Sequence, residues 1–300
     1  MDRFPDNLLD RAKTLLLATD GSRFSEGAVQ GAIFFSRACQ AKIIVLHVVP
    51  TRTESIGAAN LAIRQSWEEL TPHFDRIRAM AQDNGVEMEI VALGSSNLEK
   101  TLVEQARLRQ ADAILMGRHG VAGRWSRLVG KITLRVIAQK FPRVIVVPKE
   151  FALTDMRVLV AVNDSPNGRQ AMVEALGMGQ VCPSLREMTV MSVAPREEQR
   201  HLHEALVNEL CQQTAQMGLP VPCTPLVEVG NPVEAIVAAS QAHNIDMIVL
   251  GAPSKSRLAM MIQGDVAESI IGRGRCAMLV VTAQDAAHAA EDRKQKTEDR

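Results

Sequence analysis

Short apolar, β-branched runs alternate along this chain with longer stretches in which apolar residues return at helical spacing. The first half carries the runs Lys13–Thr19, Ala41–Val49, Val86–Leu93, Ala111–Gly117 and Pro142–Pro148, with a helical stretch after each of the first four. The second half carries Met156–Val162, Glu187–Val193, Thr224–Gly230, Ile245–Gly251 and Cys276–Thr282 in the same arrangement. Continuous apolar runs of this length suit parallel strands covered on both faces. Their regular alternation with helices predicts an α/β sheet with right-handed crossovers.

The pattern is written twice. Asp20 follows the first run as Asn163 follows the sixth, Leu46–Pro50 answers Met191–Pro195, and Asp112 answers Asp246. Offsets of about 135–145 residues throughout make the two units similar in length. The expected fold is two tandem open parallel five-stranded sheets flanked by helices. One unit spans residues 1–150 and the other 151–284, with the charged stretch Lys149–Asp155 at the boundary. Residues 285–300 are polar and read as a disordered tail. Ser95, Ser96 and Asn97, followed by Glu99, read as the cap of a third helix, and Asn231-Pro232 opens its counterpart.

Composition narrows the function classes. Lys and Arg balance Asp and Glu, giving a formal net charge of zero, so no bulk field favours nucleic acid or an anionic membrane. Aromatic residues make up 3% of the chain and there is no Tyr, which leaves few rings for base stacking. No run reaches the roughly 18 apolar residues of a membrane helix, and the start lacks the apolar core of a secretory signal. Five scattered cysteines without a C-x-x-C pair read as reduced thiols of a cytoplasmic protein, not as a metal or redox site.

In open α/β sheets ligands sit beyond the carboxyl ends of the strands, where strand order reverses. The first run ends in Ala18, Thr19 and Asp20; the fourth ends in Met116-Gly117-Arg118-His119-Gly120, with a helix expected soon after. Four glycines and five Arg, Lys or His residues fall between Met116 and Lys131, with no acid among them. Free N–H groups at a helix start, with the helix dipole behind them, suit an anion. Arg118, Arg124, Arg127 and Lys131 could face a phosphate or form a solvated face. Arg135, Lys140, Arg143 and Lys149 read as solvated. His119 could donate to a ribose or phosphate oxygen, whereas His47, inside an apolar run, reads as a packed, hydrogen-bonded histidine. Trp125 and Cys276 read as packing residues.

Gly117, Gly120 and Gly130, spaced Gly-x2-Gly-x9-Gly, together with the runs around Leu15–Ser22, Ile44–Val49 and Arg143–Pro148, resemble the universal stress protein family over both halves. The resemblance implies an adenine nucleotide alpha hydrolase-like, Rossmann-like fold, with the fifth strands of the two units meeting near a pseudo-twofold axis as an internal pseudo-dimer. It also implies a role in stress response or signalling. ATP, with Mg possible beside it, would then bind the first unit. Ala18, Thr19 and Asp20 would lie by base and ribose, and the backbone of Val48 would meet the base edge. Met116 through Gly120 would wrap ribose and phosphates, and Gly130, Lys131 and Ile132 would offer N–H groups to the phosphate tail. Lys131 departs from the family's Ser or Thr there; it exchanges a hydroxyl donor for a point charge.

The second unit departs further. Asn163 replaces the aspartate, and its loop runs Gly251-Ala252-Pro253-Ser254 and then Gly264-Asp265. Ser254 replaces a glycine, Pro253 removes an N–H, and Asp265 places negative charge where phosphate would lie. This site reads as degenerate toward ATP. Leu258, Met260, Met261 and Ile262 leave an apolar ligand or ordinary helix packing as its alternatives. No P-loop and no Gly-x-Ser-x-Gly nucleophile turn occurs. Slow ATP hydrolysis, a nucleotide-free adaptor binding partner proteins, and a further homodimer are the other readings left open.

Overall fold

The computed structural model describes residues 12–51, 55–119, 129–151, 156–182, 184–252 and 266–283. Each apolar run becomes a strand. The first half holds β1 (Thr14–Ala18), β2 (Lys42–Pro50), β3 (Met88–Ser95), β4 (Ala113–Gly117) and β5 (Arg143–Val147). Between them lie α1 (Glu26–Cys39), α2 (Ile56–Asp83), α3 (Leu98–Leu108) and α4 (Lys131–Ala138). The second half repeats this with β6 (Met156–Ala161), α5 (Pro166–Val181), β7 (Leu185–Ala194), α6 (Arg200–Gln216), β8 (Cys223–Val229), α7 (Pro232–Ala242), β9 (Met247–Gly251), α8 (Val266–Arg273) and β10 (Ala277–Val281).

The helix starts obey their sequence signals. Asn97 accepts from Lys100 N at 3.0 Å, and Asn231 accepts from Val233 N at 2.9 Å with Pro232 in the first turn. The aspartates that precede β4 and β9 do the same duty in both halves. Asp112 Oδ2 accepts from Lys13 N and Thr14 N, and Asp246 Oδ2 from Arg157 N, so each fixes the start of a neighbouring strand.

The two predicted five-stranded sheets are continuous. Strand order is β3-β2-β1-β4-β5-β10-β9-β6-β7-β8. Pairing within each half is parallel, and β5 meets β10 antiparallel, with Ile145 opposite Leu279. Both junction strands are buried along their whole length. Left unpaired, each would be an apolar edge open to another chain; pairing removes both edges. One face of the sheet packs against α1, α2, α5 and α6, the other against α3, α4, α7 and α8. Each layer is a core that crosses the junction.

Arg143, expected on a solvated face, is instead 4% exposed at the start of β5. Its Nε donates to Glu174 Oε1 at 2.7 Å, and its Nη2 lies 2.6 Å from the same oxygen. Glu174 sits on α5 of the other half and is 1% exposed. A buried ion pair is costly to break from one side, because the remaining charge stays desolvated and alone. Glu174→Ala is therefore expected to lower stability by about 3–5 kcal/mol, whereas replacing both residues by Met costs much less. Urea unfolding of the parent and the two variants measures this; equal losses would show that the pair is not the source.

Candidate functional site

The carboxyl end of β1 is held by a polar cluster. Thr19 N donates to Leu46 O on β2, and His47 Nδ1 lies 2.9 Å from Thr19 O. His47 Nε2 contacts Ser66 Oγ on α2 at 2.9 Å, so both ring nitrogens are used in a buried place, as its apolar run suggests. Thr19 Oγ1 donates to Ser25 Oγ, accepts from Gly21 N, and lies 3.0 Å from His73 Nε2. Thr19 is thereby spent on positioning the turn into α1. Asp20, exposed at the strand tip, accepts from Ser22 N at 3.0 Å. His73 escaped the sequence reading because it lies on α2, far along the chain from the motif it supports.

Ala18, Val48 and Met116 are buried and face the α3/α4 core, so only their main chains are available to a ligand. Main-chain groups of Leu46 point toward β1, where its carbonyl meets Thr19 N. Those of Val48, two residues on, point the same way beyond the last residue of β1.

Beyond β4 the described ends of the glycine loop are pinned together. Gly130 N donates to Arg118 O at 2.9 Å and Thr133 Oγ1 to Gly117 O at 3.1 Å. Arg118 N donates to Val147 O. A Cβ on Gly117 would lie 2.8 Å from Phe24 O, so glycine is needed there for backbone to meet backbone. One on Gly130 would lie 3.5 Å from His119 Cα, which places His119 against the start of α4. As first-turn residues of α4, Lys131, Ile132 and Thr133 carry N–H groups without an intrahelical acceptor. His119 Nδ1 is buried with no hydrogen-bond partner among the described residues. Burial, and secondarily the Arg118 guanidinium, push the His119 pKa down.

Arg118 has another occupation. Its Nη1 donates to Gly274 O at 2.6 Å and to Ile271 O at 3.3 Å, at the carboxyl end of α8 in the other half. A cation there meets the negative end of the helix dipole. Any phosphate contact from Arg118 competes with these bonds.

At the corresponding strand ends of the second half, two asparagines bond to nearby groups. Asn163 Oδ1 accepts from Ser165 N and Ser165 Oγ. Asn167 Nδ2 donates to Ala252 O at 2.6 Å, and its Oδ1 accepts from Ala283 N at 2.8 Å, bridging the chain beyond β9 to that beyond β10. A Cβ on Gly251 would lie 2.5 Å from the carbonyl carbon of Asn167. Gly120, Arg124, Trp125, Arg127, Pro253, Ser254, Leu258, Met260, Met261, Ile262, Gly264, Asp265 and the polar tail lie outside the described residues. Among the described residues no helix is long and apolar enough to cross a membrane, and no group of three or more His, Cys, Asp or Glu could hold a metal ion.

The model of the universal stress protein family matches residues 11–148 and 156–282. The chain belongs to this family. A universal stress protein of Methanocaldococcus jannaschii is 28% identical over 141 residues, covering 46% of this chain and 82% of the relative. The crystal structure of a universal stress protein from Archaeoglobus fulgidus superposes with a TM-score of 0.74 at 20% identity, covering 93% of this chain and 99% of that one. A functionally unknown protein from Pseudomonas aeruginosa gives 0.66 at 15% identity, with 96% and 99% covered. These likenesses carry the fold across the whole tandem universal stress protein.

The His73 environment makes a pH prediction. Burial first, and the Arg76 guanidinium second, lower its pKa from the ordinary 6.5. Above about 6.5 the ring is neutral in folded and unfolded chains alike. Below it the unfolded chain takes up the proton first, so stability falls as pH drops from 6.5 through the lowered folded value. His119 acts in the same direction. His73→Gln should flatten this loss when urea unfolding at pH 5.5 is compared with pH 7.5. A variant as acid-sensitive as the parent would relieve His73 of the role.

Proposed function

We propose that this universal stress protein binds one adenine nucleotide, ATP, in its first half and none in its second, and that occupancy serves stress response or signalling. The observation that carries the reading is the buried His119 Nδ1, without a hydrogen-bond partner among the described residues, set against the first turn of α4. A neutral imidazole and three converging N–H groups form a donor set for ribose or phosphate oxygens. The Val48 main chain, reaching past the end of β1, supplies groups for a base edge. Mg would accompany the phosphates as a ligand of the nucleotide rather than of a protein cluster. In the second half Asn167 already holds the groups that flank the crevice, which supports a single site.

Calorimetry with ATP is expected to give one site per chain; two equivalent sites, or no heat at all, would sink the proposal, and the latter would favour a nucleotide-free adaptor. Lys131 is exposed at the first position of α4. Lys131→Ala should weaken ATP by about fivefold, the size of an exposed charge contact of about 1 kcal/mol, while leaving adenosine unchanged. Equal loss for ATP and adenosine would remove Lys131 from the phosphates.

A further inference from the structure

The two cysteines nearest each other in space belong to the half without the glycine loop. Cys211 lies near the end of α6 and Cys223 opens β8, with their sulfurs 2.6 Å apart; a covalent S–S bond is about 2.05 Å. The connection between them explains the meeting. Gly218 turns the chain at φ +67°, a left-handed conformation that costs glycine little. Pro220 and Pro222 stiffen the return, and β8 runs back beside α6 at the edge of the sheet. Neither residue is fully buried. A cavity of about 360 Å³, lined by Cys211, Thr214, Leu219, Pro220 and Cys223 among others, leads to the pair.

We propose that Cys211 and Cys223 form a reversible dithiol–disulfide pair that is oxidised by small hydroperoxides reaching it through this cavity. Cys223, which opens the edge strand, is assigned as the attacking thiol; a hydrogen bond with Cys211 lowers its pKa against the opposing effect of burial. Its proton passes to water. The Cys223 sulfur attacks the terminal peroxide oxygen, the O–O bond breaks, and the leaving hydroxide, or the alkoxide of an alkyl hydroperoxide, is protonated to water or the alcohol. The sulfenic acid so formed sits beside Cys211, whose sulfur attacks it; the S–O bond breaks, the S–S bond forms, and water leaves with the Cys211 proton. Two thiols lose two electrons and two hydrogens, and the peroxide takes them up. Burial raises the thiol pKa of Cys182, and that of Cys276 to about 12, which leaves both poor competitors. The product closes a short loop that staples α6 to the edge strand.

The full chain is reduced, freed of reductant and exposed to hydrogen peroxide at a few equivalents. Non-reducing peptide mass spectrometry should find a cross-link between the segments bearing Cys211 and Cys223, with the loss of two hydrogens. Dithiothreitol should restore both thiols in the folded protein. In Cys211→Ser, dimedone should label Cys223 as a trapped sulfenic acid; Cys223→Ser should lose the cross-link and slow peroxide consumption at least fivefold. Circular dichroism establishes that both variants are folded. A cross-link through Cys39, Cys182 or Cys276, no cross-link at all, or one that resists dithiothreitol in the native chain would overturn the proposal.

Discussion

The antiparallel pairing of β5 with β10 is the interaction on which the rest of the molecule depends. Four residue pairs, from Arg143 opposite Val281 to Val146 opposite Met278, turn two five-stranded units into one sheet. Strands buried on both faces need partners on both edges as well, since an unpaired apolar edge invites any other strand. Having both units in one chain makes this pairing intramolecular, at an effective concentration that separate subunits reach only in concentrated solution. The antiparallel sense also fixes where chemistry can occur. The carboxyl ends of the first five strands and of the second five open in opposite directions, so the two crevices cannot merge into one site.

The twofold relation holds in strand order and pairing and is broken in the side chains. Arg118 and Ala252 each follow the strand beside the junction, and each donates its N–H to the last residue of β5 or β10. Only Arg118 has a side chain that crosses to the other half. Arg143 and Ala277 each begin a junction strand, and only Arg143 finds a carboxylate across it. A symmetric pair of separate subunits carries every such contact twice. A fused pair can place a cation in one copy and a small residue in the other. In the second half, Asn167 in turn ties Ala252 to Ala283.

Much of this could be read along the chain because the signals are local. Ten apolar runs became ten strands, and the caps at Asn97 and Asn231 sit where a polar residue precedes an apolar stretch. The misplacement of Arg143, and the contacts that were not read at all, share the opposite cause. Arg143 looked solvated because its neighbours in sequence include basic groups, whereas its carboxylate lies across a junction that no window of residues contains. Cys211 and Cys223 match no short thiol motif; a helix end, a glycine turn and two prolines bring them together. His73 supports Thr19 from 54 residues away. Sequence spacing reports which backbone comes next, while the partners of buried polar groups are set by topology.

The same topology decides the charge available in the first-half crevice. Arg118 stands nearest the loop, yet the carbonyls of Ile271 and Gly274 hold its guanidinium. Those carbonyls end a helix, and their partial negative charge competes with any anion for the same cation. Among the described residues that leaves Lys131 and the first-turn N–H groups of α4 as the positive end of the crevice. Gly117 and Arg118 carbonyls are tied to Thr133 and Gly130, so this helix start is fixed relative to the end of β4 before any ligand arrives. Donors held in place in advance cost a ligand less ordering entropy than donors on a free loop. The second half therefore bears on the end of β4 through Arg118, whose cation the carboxyl end of α8 takes up.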